Sequence, residues 1–212
     1  MSVVLIDYGS GNLRSAEKAL VHAARSLARS TEVVVSDDPK VVGEADRIVL
    51  PGVGAFAACM AGVVARQGLL EALNHAVISR GRPFLGICVG MQLMASRGLE
   101  FGETRGLDWI GGEVRRLEVH DPVLKIPHMG WNALQDVADH PVFAGLEGVD
   151  VYFTHSFAFH TARAVDTAAW TTHGERFAAA VAKDNMAGVQ FHPEKSQGAG
   201  LGLLSRFLEW RP

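Results

Sequence analysis

Gly86-Ile87-Cys88-Val89-Gly90 sets a cysteine between two glycines, the spacing of a G-x-nucleophile-x-G elbow with Cys in place of Ser. Such an elbow needs an entering strand, a strained turn that presents one side chain, and a departing helix. The glycines let the backbone fold back without a clash. The helix start beneath the sulfur favours thiolate, and the Val89 N–H is free to hold a developing oxyanion. A cysteine after an apolar strand is ordinarily just a buried core residue. Two glycines at the right offsets and the strand-to-helix context turn the reading toward a nucleophile. Cys59, in Ala57-Ala58-Cys59-Met60-Ala61, has none of this and reads as core packing.

A thiol nucleophile needs a base, and the base needs an orienter. Of nine histidines, His192 stands out through His192-Pro193-Glu194. In extended backbone, residues i and i+2 project to one side, so Glu194 can fix the His192 imidazole, and Pro193 disfavours helix at His192. Pro51-Gly52-Val53-Gly54 follows another strand, and its glycines let backbone N–H groups approach a ligand as further oxyanion donors. By itself that segment is an ordinary turn. Gly9-x-Gly11 lacks the third glycine of a dinucleotide fingerprint. No Walker loop and no metal-ligand spacing is present, and neither metal nor cofactor is expected.

The positioning elements follow from apolar patterning. Val3–Ile6, Val33–Val35, Arg47–Leu50 and Pro83–Ile87 read as strands. Leu13, Ala16, Leu20, Ala23 and Leu27 mark one face of a helix with Asn12 as its N-cap. A second helical region runs from about Val63 to Val77, and a third, Val89–Met94, leaves the elbow. Strands alternating with helices predict an α/β fold with a parallel sheet covered on both faces. From about Gly111 short strand-like pieces dominate: Glu113–Leu117, Trp131–Leu134, Val151–Phe159, Ala178–Val181 and Gly188–Phe191. They predict an antiparallel extension of the same domain, closed by a helix carrying Leu201, Leu204 and Leu208.

The chain has 212 residues, 48% of them hydrophobic and 20% charged, which suits one domain over 1–212 with a sizeable core and excludes a largely disordered chain. A net charge of −3 argues against a general grip on nucleic acid. Two cysteines do not make a disulfide framework, and Cys59 and Cys88 are not expected to be joined. The N-terminus lacks a basic signal-peptide region, and no charge-free apolar run approaches the ~18 residues of a membrane span. The default setting is cytoplasmic. Arg115-Arg116 reads as a solvated strand edge, and His75, His140, His160 and His173 as surface histidines.

The elbow with Met91-Gln92, joined to His192-Pro193-Glu194, resembles the class I (triad-type) glutamine amidotransferases. Ile6-Asp7-Tyr8-Gly9-Ser10-Gly11-Asn12-Leu13, Leu50-Pro51-Gly52-Val53-Gly54, Ile126-Pro127-His128-Met129-Gly130-Trp131-Asn132 and His192-Pro193-Glu194-Lys195-Ser196 are similar to the glutaminase subunits of imidazole glycerol phosphate synthases. The resemblance covers essentially the whole chain and implies a flavodoxin-like three-layer fold, mainly parallel, with the antiparallel extension. It implies Cys88 as nucleophile, His192 as general base and acid, and Glu194 as orienter. Gly52 and Val53 become the adjustable side of the oxyanion hole and Val89 the fixed side. Gly54, Gln92, His155, Ser156 and Phe157 fall at the glutamine pocket. Asn12, Met129, Trp131 and Lys195 fall at the interface with a synthase partner, and Tyr152 at the mouth of the ammonia path. The implied partner is a TIM-barrel cyclase, in a heterodimer. The pattern is departed from at Phe157, which lacks the hydroxyl of a common tyrosine, and at Val89, where leucine is common.

Three other readings compete. Another amidotransferase subunit, serving vitamin B6 or purine synthesis, is disfavoured by Pro-His-Met-Gly-Trp-Asn and Pro-Gly-Val-Gly. A silent binding module is disfavoured by an intact Cys88, His192 and Glu194. A cysteine hydrolase of another small amide or ester shares the triad and is separated by labelling Cys88 in competition with glutamine.

Overall fold

The computed structural model describes residues 1–212. In chain order the elements are β1 (Ser2–Ile6), α1 (Leu13–Arg25), β2 (Glu32–Ser36), α2 (Pro39–Glu44), β3 (Arg47–Gly52), α3 (Phe56–Ala65), α4 (Leu69–Asn74), β4 (Phe84–Cys88) and α5 (Val89–Gln92). Then come β5 (Arg97–Gly98), β6 (Thr104–Arg105), β7 (Gly112–Arg116), β8 (His128–Ala133), β9 (Asp150–His155), β10 (Phe157–Thr161), β11 (Thr167–His173), β12 (Glu175–Lys183), β13 (Met186–Val189) and α6 (Gln197–Glu209).

The main sheet has the order β11-β12-β13-β4-β3-β1-β2. The segment from β2 to β13 is parallel, and β12 and β11 continue it antiparallel. This matches the expected parallel sheet with an antiparallel extension. All of β3 and β4 is buried, as a parallel sheet covered on both faces requires. One contiguous apolar core of 59 buried residues joins the sheet to the helices around it. Two smaller sheets, β10-β7-β5-β6 and β8-β9, are antiparallel except where β5 meets β7.

Several expected boundaries move. Asn12 occupies the N-cap position of α1 but makes no side-chain cap bond. The second helical region begins earlier, at Phe56, and is broken where Gly68 turns left-handed at φ 80°. Its later part, His75–Ser79, winds as a single π turn. The elbow helix is a single turn, Val89–Gln92, shorter than the expected Val89–Met94. The run Val151–Phe159 is two strands split at Ser156: β9 pairs with β8, and β10 with β7. The strand β11 went unpredicted because Thr167–His173 is mostly alanine and threonine without alternation. In α6, Leu203, Leu204, Phe207 and Leu208 are buried and Leu201 only partly, so its inward face is rotated from the expected one. Arg115 is not a free strand edge, since it pairs with Glu118 and Glu175. Among the other histidines, His173 stacks on His128 and His160 approaches Arg115, while His75 is exposed.

No single helix is long and apolar enough to cross a membrane. The pair Phe56–Ala65 and Leu69–Ser79 has that composition jointly but is bent by 97°.

Candidate active site

Strand β4 ends at Cys88, whose backbone adopts φ 54° and ψ −113°, a strained conformation for a residue with a side chain. Its surroundings permit no other residues beside it. A Cβ on Gly86 would meet Gly90 O and Met91 N at 2.7 Å, and one on Gly90 would collide with the Leu50 carbonyl. Cys88 therefore stands at the mouth of a sharp turn pressed against β3. The parallel register places Gly52 beside Cys88, and a Cβ on Gly52 would sit 2.7 Å from Gly90 N.

The loop after β3 is braced by the loop after β1. Tyr8 donates its hydroxyl to Pro51 O at 2.7 Å, and Ser10 Oγ donates to Val53 O at 2.7 Å. Burial drives the Tyr8 hydroxyl well above its usual range, so it remains a donor. Cys59 also donates to Val53 O, at 3.3 Å, so this buried thiol does more than fill space. The Val53 and Gly54 N–H groups make no intramolecular hydrogen bond. The first N–H groups of α5, beginning with Val89, have no intrahelical acceptor to reach. Backbone donors are thus available on both sides of the sulfur.

His192 reaches this place from the other end of the chain. Its N–H donates to Tyr152 O at 2.9 Å, and Ser196 Oγ donates to its carbonyl at 2.7 Å. His192 Nδ1 donates to Glu194 Oε1 at 2.9 Å, with both side chains about 4% exposed or less. The expected meeting of the two occurs, but through a short 3₁₀ turn, Pro193–Lys195, and not along an extended strand, because β13 ends at Val189. Burial opposes a charge on His192. Its interactions with Cys88 and Glu194 outweigh that and push its pKa up to about 9. His192 Nε2 is buried and has no hydrogen-bond partner, which leaves it available to exchange a proton.

A cavity of about 400 Å³ opens at the sulfur. Val53, Gly54, Cys88, Val89, Gln92, His155, Ser156, Phe157, His192 and Lys195, all singled out from sequence, line it. Glu100, Phe101 and Thr154 line it too and were missed. Glu100 Oε2 accepts from Phe56 N at 2.8 Å, which fixes the carboxylate at the rim. Phe101 holds φ 55° and is 95% exposed as a residue. Neither belongs to a motif that spacing alone reveals.

Gln190 was also missed. It is fully buried, accepts from Gln92 Nε2 at 2.9 Å and donates to Cys88 Sγ at 3.6 Å. Gln92 Nε2 also donates to Phe157 O at 2.9 Å, so a polar chain runs from the pocket wall to Cys88 Sγ. The signal was a glutamine inside an apolar stretch, Val189-Gln190-Phe191. Because the contact at Phe157 is through its carbonyl, the missing tyrosine hydroxyl leaves this bond intact. His155 Nδ1 contacts the same carbonyl at 2.9 Å, and burial pulls its pKa down to about 3, keeping it neutral.

Four of the five residues expected at an interface lie together. Met129, Trp131, Tyr152 and Lys195 cluster. Met129 and Trp131 share one face of β8 and are 64% and 48% exposed. The Trp131 ring lies 5.9 Å from Tyr152, and Lys195 Nζ stands 5.6 Å from the Tyr152 ring. Asn12 is exposed at the start of α1, with no side-chain hydrogen bond to that cluster.

The family model for class-I glutamine amidotransferases matches residues 4–209. The chain is 60% identical to the imidazole glycerol phosphate synthase subunit HisH of Caulobacter vibrioides, covering all of this chain and 99% of that one. It is 53% identical to the HisH subunit of Rhodospirillum rubrum, with both covered completely. In fold it is similar to a solved glutamine amidotransferase at TM-score 0.72 and 17% identity, covering 97% of each chain. A second such structure, from Thermotoga maritima, aligns at TM-score 0.63 and 18% identity, over 99% of this chain and 96% of that one. A cysteine elbow facing a His–Glu pair, and these matches along the full chain, make one statement: the chain belongs to the class I glutamine amidotransferases.

Proposed function

We propose that this chain is the glutaminase subunit of an imidazole glycerol phosphate synthase, acting in histidine biosynthesis as a single catalytic unit over residues 1–212. The observation that carries the reading is the strained Cys88 beside the His192–Glu194 pair, in a cavity with the Glu100 carboxylate and the Lys195 ammonium on its lining. That charge pair complements the ammonium and carboxylate of a free amino acid.

The Cys88 thiolate attacks the side-chain amide carbon of glutamine. The N–H groups of Val53, Gly54 and Val89, beside Gly52, hold the oxyanion. His192 Nε2 gives its proton to the departing nitrogen, releasing ammonia and leaving a thioester. Water then attacks the thioester while His192 takes its proton, and glutamate leaves.

Ammonia in bulk water near neutral pH is mostly ammonium and not nucleophilic, so it must travel through a dry path to its acceptor. The exposed apolar pair Met129 and Trp131, next to Tyr152 and Lys195, supports docking of a TIM-barrel cyclase there. That partner would turn a phosphorylated ribulosyl substrate into imidazole glycerol phosphate and an aminoimidazole carboxamide ribotide. Two free cysteines suit a cytoplasmic setting. The test is glutamate release by the lone chain and by the chain with cyclase and its ligand. Turnover is expected to be low alone and strongly stimulated in the liganded complex; full activity from the lone chain would contradict the reading.

A further inference from the structure

Arg47 opens β3 at the end of the sheet opposite Cys88. Its side chain lines a cleft of about 530 Å³, together with Arg29, Arg82, Arg211, Asp46 and Trp210. Arg47 is only 4% exposed, yet no carboxylate pairs with it. Its Nε meets the Met1 sulfur at 3.2 Å, a weak acceptor, and its guanidinium stands 5.9 Å from the Phe207 ring. Nη1 has no partner at all. Arg82 contacts Asp46 at 3.5 Å, and its buried Nε is likewise unpartnered. Asp46 is already committed to Ser2, whose N–H donates to it at 2.9 Å.

Six buried side-chain polar atoms in this protein lack a partner. Two, His192 Nε2 and Glu194 Oε2, belong to the catalytic pair, where an unspent group is the means of the chemistry. Two others, Arg47 Nη1 and Arg82 Nε, belong to side chains that line this one cleft. Leaving a buried cation unpaired is costly, and folds keep such an arrangement where something else supplies the counter-charge. Burial, then repulsion from Arg29, pulls the Arg47 pKa down to about 10, so it remains a cation at neutral pH. Four guanidinium groups and the Met1 ammonium, against the carboxylates of Asp46 and Pro212, leave an excess that suits a multiply charged oxyanion. The planar donor fork of arginine matches phosphate oxygens two at a time.

We propose that this cleft binds a phosphate-bearing anion. Its volume falls in the range of small-molecule sites. It lies about 17 Å from the nucleophile, the length of five residue steps along β3, so its occupant does not compete with glutamine.

Calorimetric titration of pyrophosphate, orthophosphate and citrate into the full chain at fixed ionic strength tests this, with Trp210 fluorescence as a second signal. Saturable one-site binding is expected, tightest for pyrophosphate and weaker for orthophosphate. Arg29→Ala and Arg211→Ala remove exposed side chains and should each weaken it by about tenfold or more. Arg47→Met should abolish it, with folding checked by circular dichroism. Glutamine hydrolysis by Arg211→Ala should equal that of the unaltered chain. Absence of saturable binding, or unchanged affinity in the two exposed variants, would overturn the site. Citrate binding as tightly as pyrophosphate would overturn the assignment to phosphate.

Discussion

Cys88 and Cys59 are both free and nearly equally dry, at 4% and 1% exposure, yet they occupy opposite kinds of backbone. Cys59 lies inside α3, with its sulfur spent on Val53 O and in contact with Ser10 Oγ. Cys88 sits at φ 54° between a strand and a single helical turn, beside a cavity, with Gln190 and His192 around its sulfur. Burial therefore says little about which thiol reacts. What separates them is the strained turn that sets Cys88 beside the cavity and a histidine brought to it from far along the chain.

The sharpest way to break this contrast is Cys88→Ala, expected to lower glutamine hydrolysis by about 10⁴-fold or more in a coupled glutamate assay. Activity within tenfold of the unaltered chain would erase the distinction between the two sulfurs.

Next in size is Glu194→Gln. It should lower kcat roughly 10³-fold by freeing the imidazole to take the wrong tautomer. It should also change the pH profile of stability. A histidine whose pKa is raised on folding contributes stability that is complete below its unfolded pKa of about 6.5 and is lost as pH rises through the folded one, here about 9. The unaltered chain should lose His192-linked stability between those limits, and Glu194→Gln, lacking one of the two supports, should lose less. Denaturant midpoints at both ends of that window measure this; identical pH slopes would show that Glu194 does not support the charge.

The smallest effect is expected from Cys59→Ala. Ser10 still holds Val53 O, so kcat should change by less than about tenfold and stability by about 1 kcal/mol. A loss as large as that from Cys88→Ala would make Cys59 part of the machinery.

The elbow was legible because Gly86 and Gly90 are required by contacts within a few residues of the cysteine and with the next strand. The strands β1, β3 and β4 were legible because burial on both faces makes each a continuous apolar run, and β2, only partly buried at the sheet edge, through its β-branched Val33–Val35. The start of α3 was not, since its first N–H is satisfied by Glu100, 44 residues away. The division of Val151–Phe159 was hidden too, because which sheet each half joins depends on partners at Trp131 and Arg115. Gln190 and Glu100 escaped for the same reason: their value lies in what stands opposite them. The His–Glu pairing was read correctly while its backbone was not, since adjacent strand and turn geometries can both join residues two apart.

The place of β13 beside β4 has a consequence for how the protein comes into being. Cys88 is made early, but its strand neighbour β13 and the His192–Glu194 pair follow about a hundred residues later, as the Gln190–Cys88 contact across 102 positions records. A chain emerging from the ribosome thus carries Cys88 for about half of its synthesis without His192 or Glu194. In the proposed mechanism that later stretch of polypeptide both extends the sheet and arms the thiol, so a truncated or half-folded copy would hold no activated nucleophile to release ammonia where nothing can receive it.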